Sequence, residues 1–177
     1  MLMLHPHTVI VYDELEASEA VRWEWLLHSP TEFKIDAVKK TLSTDNKTKG
    51  WVAVTQLFGG HVFTLSQTDR FVVPPAITGA EYPNQWHLTA RVDGCSATRF
   101  LAIIQVGDEA VSIVNRDGDT FNVGDWTIKA VLDASKAPEL TVSHRTEQAV
   151  FSYGTDNPAL NGNFYSCLLY TSPSPRD

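Results

Sequence analysis

The chain is poor in the residues that small proteins use for covalent and metal cross-links. Its 177 residues include two cysteines, Cys95 and Cys167, and neither lies in a Cys-x-x-Cys or paired zinc-type spacing. A chain of this length buries about two-thirds of the surface that its unfolded form exposes, so it needs no disulfide framework. The composition therefore argues against a disulfide-rich scaffold and against a cysteine-based zinc module.

Positive charge and long apolar runs are also scarce. Fourteen Lys and Arg residues face 21 Asp and Glu residues, which gives a formal net charge of −7. Nucleic acids and anionic membrane surfaces attract proteins through a positive field, so we expect no nucleic-acid partner. No apolar stretch approaches the roughly 20 residues that span a bilayer, and residues 1–7 do not resemble a signal peptide. We expect no membrane insertion.

A period of two dominates the apolar pattern, and it predicts strands. Residues 21, 23, 25 and 27 are apolar, while residues 22, 24, 26 and 28 are mostly polar. The run Thr98–Val106 is apolar at successive positions, which is typical of a central strand buried on both faces. The best helix candidate, residues 13–20, is too short, and we interpret it as a loop.

Turn residues separate these runs at short intervals. Gly59-Gly60 and Asp117-Gly118 lie between β-rich segments, and the second pair is a hairpin signal. Residues 71–85 contain three prolines and predict a long loop. About ten to twelve short strands without helical interludes predict an all-β fold, an antiparallel β-sandwich, as one domain over residues 1–166.

Both ends of the chain look displaced from their natural context. Residues 167–177 back-translate to a string that resembles a transposon-end sequencing adapter, so we expect this tail to be non-native. The native sequence would then stop near Ser166. Thr8-Val-Ile-Val-Tyr12 reads as a buried strand almost at once, which predicts that the domain was cut from a longer chain.

Four segments together resemble the C-terminal β-sandwich region of the heparinase II/III family of polysaccharide lyases. They are Val-Ile-Val-Tyr-Asp-Glu-Leu at 9–15, Trp-Glu-Trp-Leu-Leu-His-Ser-Pro at 23–30, Phe-Val-Val-Pro-Pro at 71–75 and Arg-Phe-Leu-Ala-Ile-Ile at 99–104. The resemblance covers about residues 4–165. The spacing between the Tyr-Asp-Glu and Leu-Leu-His-Ser motifs is the most specific part of it.

The resemblance implies a bacterial polysaccharide lyase that cleaves uronate-containing glycans, such as glycosaminoglycans or alginate, by β-elimination. In this family the catalytic Tyr and a His lie on an upstream helical toroid. The chain itself would then hold no catalytic residue and would be inactive alone. Its partners would be the toroid domain and an acidic polysaccharide, and its location would be periplasmic, at the cell envelope or secreted. The alternative is a carbohydrate-binding or adhesive β-sandwich module of an envelope protein.

His28, in the Leu-Leu-His motif, matches a zinc ligand of the resembled family. The resemblance implies a zinc site to which this chain contributes His28, while a His and an Asp come from upstream residues. One imidazole cannot hold zinc alone. The alternative is a hydrogen-bonded histidine on the polar face of a strand.

Trp86 and Arg91 are the candidate substrate-binding residues. A Trp ring suits the apolar face of a pyranose, and Trp86 lies close in sequence to His87, Tyr82 and Arg91. Arg91 and Arg99 are local cations that could bind a carboxylate or a sulfate. Cross-strand salt bridges are the alternative role for both arginines. Trp23 and Trp25, in contrast, fit a packed core face.

Two residue pairs and one five-residue segment are weaker candidates. Neighbouring strand residues point to opposite faces, so Asp13 and Glu14 cannot share one proton, and we interpret them as turn-entry acids. His5 and His7 lack a third metal ligand. The segment Asn115–Asp119 lacks the spacing and the closing Glu of a calcium loop, which favours an Asp-Gly hairpin. His61, His87 and His144 are assigned to surface or strand positions.

Overall fold

A computed structural model describes residues 1–4, 7–36, 38, 41–46, 51–70, 84–107, 114–147, 150–154, 159–160 and 163–164. The predictions for His5, for the 71–83 part of the long loop and for the 167–177 tail lie outside these ranges. All regular secondary structure within them is β-strand: β1 (Leu2–Leu4), β2 (Thr8–Ser29), β3 (Lys34–Asp36), β4 (Thr41–Asn46), β5 (Trp51–Gly59), β6 (Thr64–Thr68), β7 (Trp86–Gly107), β8 (Asn115–Asp117), β9 (Thr120–Val123), β10 (Trp126–Ala130), β11 (Leu140–His144), β12 (Val150–Tyr153), β13 (Ala159–Leu160) and β14 (Asn163–Phe164).

The strands form two antiparallel sheets. The first has the order β1-β2-β7-β5-β4-β3, and β6 adds to the free part of β7 beyond β5. The second is a meander in which β8 to β14 follow one another, each paired with the next. The predicted all-β antiparallel sandwich is therefore confirmed. The described ranges hold fourteen strands rather than about ten to twelve, because strands of two or three residues show no periodicity in the sequence.

The loop predicted at residues 13–20 is wrong, because the segment belongs to β2. This strand and β7 each span 22 residues, and they pair from Thr8 opposite Gln105 to Ser29 opposite Trp86. Backbone pairing with β7 runs to Glu16, opposite Ala97, and resumes at Val21, opposite Cys95, so the strand continues on both sides of residues 17–20. Register shifts between Glu16 and Val21 mark a bulge there. Opposite it, Gly94 adopts a φ of 73°, a conformation that favours glycine.

The two long strands bend back on themselves at this bulge. The Trp25 Nε1 atom donates to Asp13 Oδ2 at 3.0 Å, although the residues are twelve apart in β2. A straight strand would separate them by roughly 40 Å. Residues 21–29 and 86–92, with β6, form what we call the outer half of the sheet. Residues 8–16 and 97–107, with β1 and β3 to β5, form the inner half.

The bend produces three layers and two cores. Ile10, Leu101 and Ile103 of the inner half pack against Phe121, Ile128 and Val142 of the second sheet. On its other face the inner half meets the outer half, and the contact buries Leu88, Ala90, Phe100 and Ala102. The middle layer is thus covered on both sides, an arrangement found in three-layer domains. Residues 98–103 are fully or almost fully buried, so the predicted central strand is confirmed.

The alternation predicted in residues 21–28 sets the two faces of the outer half. Trp23, Trp25 and Leu27 are partly buried and pack against the second core, as expected. Leu26 and His28 point to the opposite face, where they are exposed. This outer face is not covered by any described residue of the second sheet, and it carries His28, His87 and Arg91.

Candidate functional site

His28 lies beside a second histidine on the outer face. It pairs directly with His87 of the neighbouring strand, and the two ring centroids are 4.5 Å apart with a tilt of 33°. Opposed positions on antiparallel strands bring side chains within contact distance. Sequence reasoning placed His87 at the surface but could not supply this neighbour, because the pairing depends on a register between strands almost sixty residues apart.

The two imidazoles have the right chemistry for zinc but are too few. Zinc sites in proteins use three or four side-chain ligands, and imidazole nitrogen is a common one. Within the described ranges, no group of three or more His, Cys, Asp and Glu residues is placed to hold a metal ion. A zinc ion bound by His28 would therefore need ligands from another part of the protein. The zinc assignment of His28 stays a prediction.

Arg91 shares the outer face with the histidines and is held by an acidic neighbour. Its Nε donates to Asp93 Oδ2 at 2.8 Å, and Arg22 Nε donates to Asp93 Oδ1 at 3.1 Å. The hydrogen bond from Arg91, with the second one from Arg22, holds the pKa of the Asp93 carboxyl below its usual value. Both arginine side chains remain about half exposed. Arg91 thus forms a salt bridge within its own strand rather than the cross-strand bridge that was its alternative role, and its substrate role stays a prediction.

Trp86 does not share a site with Arg91. It pairs with the buried Ser29, and its ring packs against the second core, where it is partly buried. Positions five apart in a strand point to opposite faces, so the indole and the guanidinium lie on opposite sides of the sheet. The predicted substrate-binding pair is therefore separated by a layer of backbone. Tyr82, the third sequence neighbour, lies outside the described ranges.

Arg99 is saturated by hydrogen bonds inside the protein. It is 6% exposed, and its Nε lies 3.3 Å from Glu14 Oε2. Its terminal nitrogens donate to the backbone oxygens of Val131, Asp133 and Lys136 at 3.3, 2.8 and 2.8 Å. These bonds tie the inner half to the loop after β10. The guanidinium is committed to this clamp and cannot also bind a substrate carboxylate.

Two tyrosines complete the contact between the sheets. Tyr12 donates to the Val131 oxygen at 2.8 Å, and burial raises its pKa to about 12. Tyr153 of the second sheet donates to Glu14 Oε1 at 2.5 Å, and this bond raises its pKa. Raised pKa values keep both phenols protonated at neutral pH, so neither serves as a base there. We describe Tyr12, Glu14, Arg99 and Tyr153 as the intersheet clamp.

Asp13 and Glu14 point to opposite faces, as predicted from their adjacency. Asp13 accepts from Trp25 between the two halves of the first sheet, and Glu14 faces the second sheet. Their interpretation as turn-entry acids is wrong, because they lie in the middle of β2.

The expected hairpin is present: β8 and β9 pair at Asp117 and Thr120, and Gly118 has a φ of 58°.

A groove with a volume of about 430 Å³ opens between β5 and β6. Both strands pair with β7, and the connection at residues 60–63 leaves the sheet locally. The groove is bordered by β3 on one side and by Arg116 of the β8–β9 hairpin on the other. Sequence reasoning missed it. Gly59-Gly60 marked a turn, but nothing in the sequence brings the hairpin to that place.

Comparisons with known proteins do not assign the chain to a family. A scan against protein-family models finds no match, and a search of curated proteins finds no significantly similar sequence. Across the described part of the chain, no helix has the length and apolar character needed to cross a bilayer.

Proposed function

We propose that the chain is the accessory β-sandwich of a bacterial polysaccharide lyase that cleaves uronate-containing glycans by β-elimination. The catalytic helical domain would lie upstream in the parent protein, at the periplasm, the envelope or the exterior of the cell. The sandwich would pack against that domain and shape its cleft. This proposal rests first on the resemblance of residues 9–15, 23–30 and 99–104 to the heparinase II/III family.

The observation that carries the proposal is the open outer face with His28 and His87 side by side. A face of strand residues that is exposed in this chain can meet another domain without loss of either core. The two segments at 9–15 and 99–104 pair with each other in the inner half, with Val9 opposite Ile104 and Glu14 opposite Arg99. The resembling segments therefore belong to one folded unit, which supports a shared origin.

The hydrogen bonding and pKa values of the groups in the intersheet clamp support a non-catalytic role for this chain. Tyr12 and Tyr153 are the tyrosines within the described ranges, tyrosine is one of the catalytic residue types of the resembled family, and the buried Arg99 lies close to both. All three are engaged in the intersheet clamp, and the tyrosine pKa values are raised rather than lowered. A base for C5 of a uronate must be deprotonated at the working pH, which these phenols are not.

Zinc belongs to the same proposal. His28, with His87 beside it, would supply imidazole nitrogen, and the parent protein would supply the remaining ligands. Bound zinc would fix the outer face to the neighbouring domain rather than take part in elimination. In the parent protein, His28→Ala is expected to lower bound zinc, whereas His144→Ala, on the second sheet, is expected to leave the zinc content unchanged. Equal zinc content in all three proteins would return His28 to a purely structural role.

The test of the proposed function is the genomic sequence upstream of Met1, followed by expression of the parent protein. A helical region of a few hundred residues with a Tyr and a His is expected there. The parent protein should then release unsaturated uronate from heparin, heparan sulfate or alginate. A second β-module in that place, in a protein without lyase activity, would favour the carbohydrate-binding or adhesive module instead.

A further inference from the structure

The groove between β5 and β6 is formed by an interruption of the sheet. Gly60 N donates to Arg99 O at 3.0 Å, and a Cβ atom at Gly60 would overlap the Leu132 carbonyl oxygen. The glycine therefore lets the connection lie directly on the β10–β11 loop before the chain rises into β6. The resulting depression, with a volume of about 430 Å³, falls within the range of small-molecule sites, roughly 300–1,000 Å³.

Apolar side chains form most of the groove wall. Ile35 and Leu65 line it and are 40% and 37% exposed. Phe58 and Phe63 lie deeper, and Phe58 is almost fully buried. Exposed aliphatic surface at a concave site can cover the apolar face of a pyranose ring. Displacing water from such an apolar surface costs little free energy.

Arg116 supplies a preorganised cation at the edge of the groove. Its guanidinium carbon lies 5.8 Å from the ring centre of Phe58 and 5.2 Å from that of Phe121. Its Nε donates to the Gly118 oxygen at 2.9 Å. No described acceptor binds its two terminal nitrogens. A guanidinium fixed in this way presents a planar pair of donors, the arrangement that binds a carboxylate through two parallel hydrogen bonds.

Asp36, Thr41 and His61 add further polar groups to the groove lining. His61 Nδ1 lies 3.2 Å from the hydroxyl of the fully buried Thr98, and this contact sets the orientation of the imidazole. Asp36 is the carboxylate of the wall, and its Oδ1 accepts from the Val38 amide at 3.0 Å. Since the whole chain carries a charge of −7, any attraction for an acidic ligand must come from a local cation, and in this groove that cation is Arg116.

We propose that this groove binds a uronate residue of an acidic glycan, with the carboxylate on Arg116 and the apolar ring face against Ile35 and Leu65. The choice of a sugar among carboxylate ligands rests on the proposed function, and the site itself rests on the groove and the guanidinium. The groove lies apart from the outer face, so it would hold the glycan at a distance from any site on that face.

The test measures binding of short alginate oligosaccharides to the full chain by calorimetry or by NMR shifts. The carboxyl-reduced form of the same oligosaccharides serves as the neutral probe. Arg116→Gln should weaken binding of the acidic probe about tenfold or more, because charge-assisted hydrogen bonds are lost. Arg145→Gln removes an exposed arginine that follows β11 and should leave binding unchanged. Added salt should weaken binding of the acidic probe.

A second variant guards against an indirect effect on folding. Leu65→Glu adds a second carboxylate to that of Asp36 at an exposed position of the groove and should weaken binding of the acidic probe by repulsion. Circular dichroism should show native spectra for all variants. No binding by the unchanged chain, equal binding of the neutral probe, or unchanged binding by Arg116→Gln would each overturn the proposed site.

The outcomes separate this site from the proposed function. Binding in the groove without lyase activity in the parent protein would retain the site and reject the lyase. Lyase activity in the parent, with no effect of Arg116→Gln on binding, would reject the site and retain the lyase.

Discussion

Trp25 Nε1 donates a hydrogen bond to Asp13 Oδ2 at 3.0 Å, and both residues belong to one continuous strand. This contact defines the fold, because it exists only if β2 turns back on itself between the two residues. The same bend carries β7 with it and lays the outer half on the inner half. The second core and the open outer face are both consequences of the bend.

Trp25→Phe tests how strongly this bond holds the two halves together. The substitution keeps most of the ring but removes the donor, and it leaves the part-buried Asp13 oxygen without this partner. We expect the free energy of unfolding to fall by about 1–3 kcal/mol in chemical denaturation. Asp13→Ala in the same background should add little further loss, because the two residues share one interaction. Unchanged stability in Trp25→Phe would show that the bond does not support the bend.

Gly60→Ala tests the contact that forms the floor of the groove. The new methyl group would overlap the Leu132 carbonyl oxygen, which belongs to the backbone and cannot rotate away. We expect a loss of roughly 3 kcal/mol or failure to fold, since the strand connection must move. Gly118→Asn is the matched control, because Asn tolerates a φ of 58° and open space surrounds that position. Thermal midpoints that fall equally in the two variants would contradict this account of the groove.

Arg99→Lys tests the intersheet clamp. Lysine keeps the charge but cannot reach Glu14 and three carbonyl oxygens at once, so we expect a loss of about 2–4 kcal/mol in urea denaturation. Arg145→Lys alters an exposed ion pair with Asp125 and should change stability by less than about 0.5 kcal/mol. A small change in the free energy of unfolding at both positions would show that Arg99 does not stabilise the contact between the sheets.

Alkaline pH should weaken the clamp through Tyr12. Burial raises its pKa from 10.0 to about 12, so the fold favours the neutral phenol. The stability that Tyr12 contributes is therefore fully present below pH 10 and is lost as the pH rises from 10 through 12. Tyr12→Phe should be less stable than the unchanged chain at pH 8, yet its stability should decline less between pH 10 and 12. Denaturation curves with identical pH dependence would contradict this role.

Local periodicity predicted the faces of the strands but not their arrangement in space. The alternation of residues 21–28 correctly placed Trp23 and Trp25 inward and His28 outward. It failed at residues 13–20, because neither the pairing of residues 13–16 with β7 nor the bulge that follows shows in the side-chain alternation. The bend could not be predicted either, because it arises from a mismatch between two strands that are far apart in sequence.

The candidate site shows the same limit. Trp86 and Arg91 were grouped because they are near in sequence, and a spacing of five residues in a strand separates their side chains. The period of two in a strand already places side chains five residues apart on opposite faces, so the sequence alone argued against this grouping. The neighbours that matter, His87 beside His28 and Arg116 beside the β5–β6 connection, depend on strand register and on the packing of the second sheet. Neither can be read from a single sequence.

The most direct measurement for the central claim is the ultraviolet absorbance of unsaturated uronate, followed while the purified chain is incubated with heparin, heparan sulfate or alginate. The parent protein with its upstream region serves as the positive control. The account predicts an increase in absorbance with the parent protein and none with the chain alone, because the described tyrosines and Arg99 are committed to holding the sheets together. Appreciable turnover by the chain alone would contradict it.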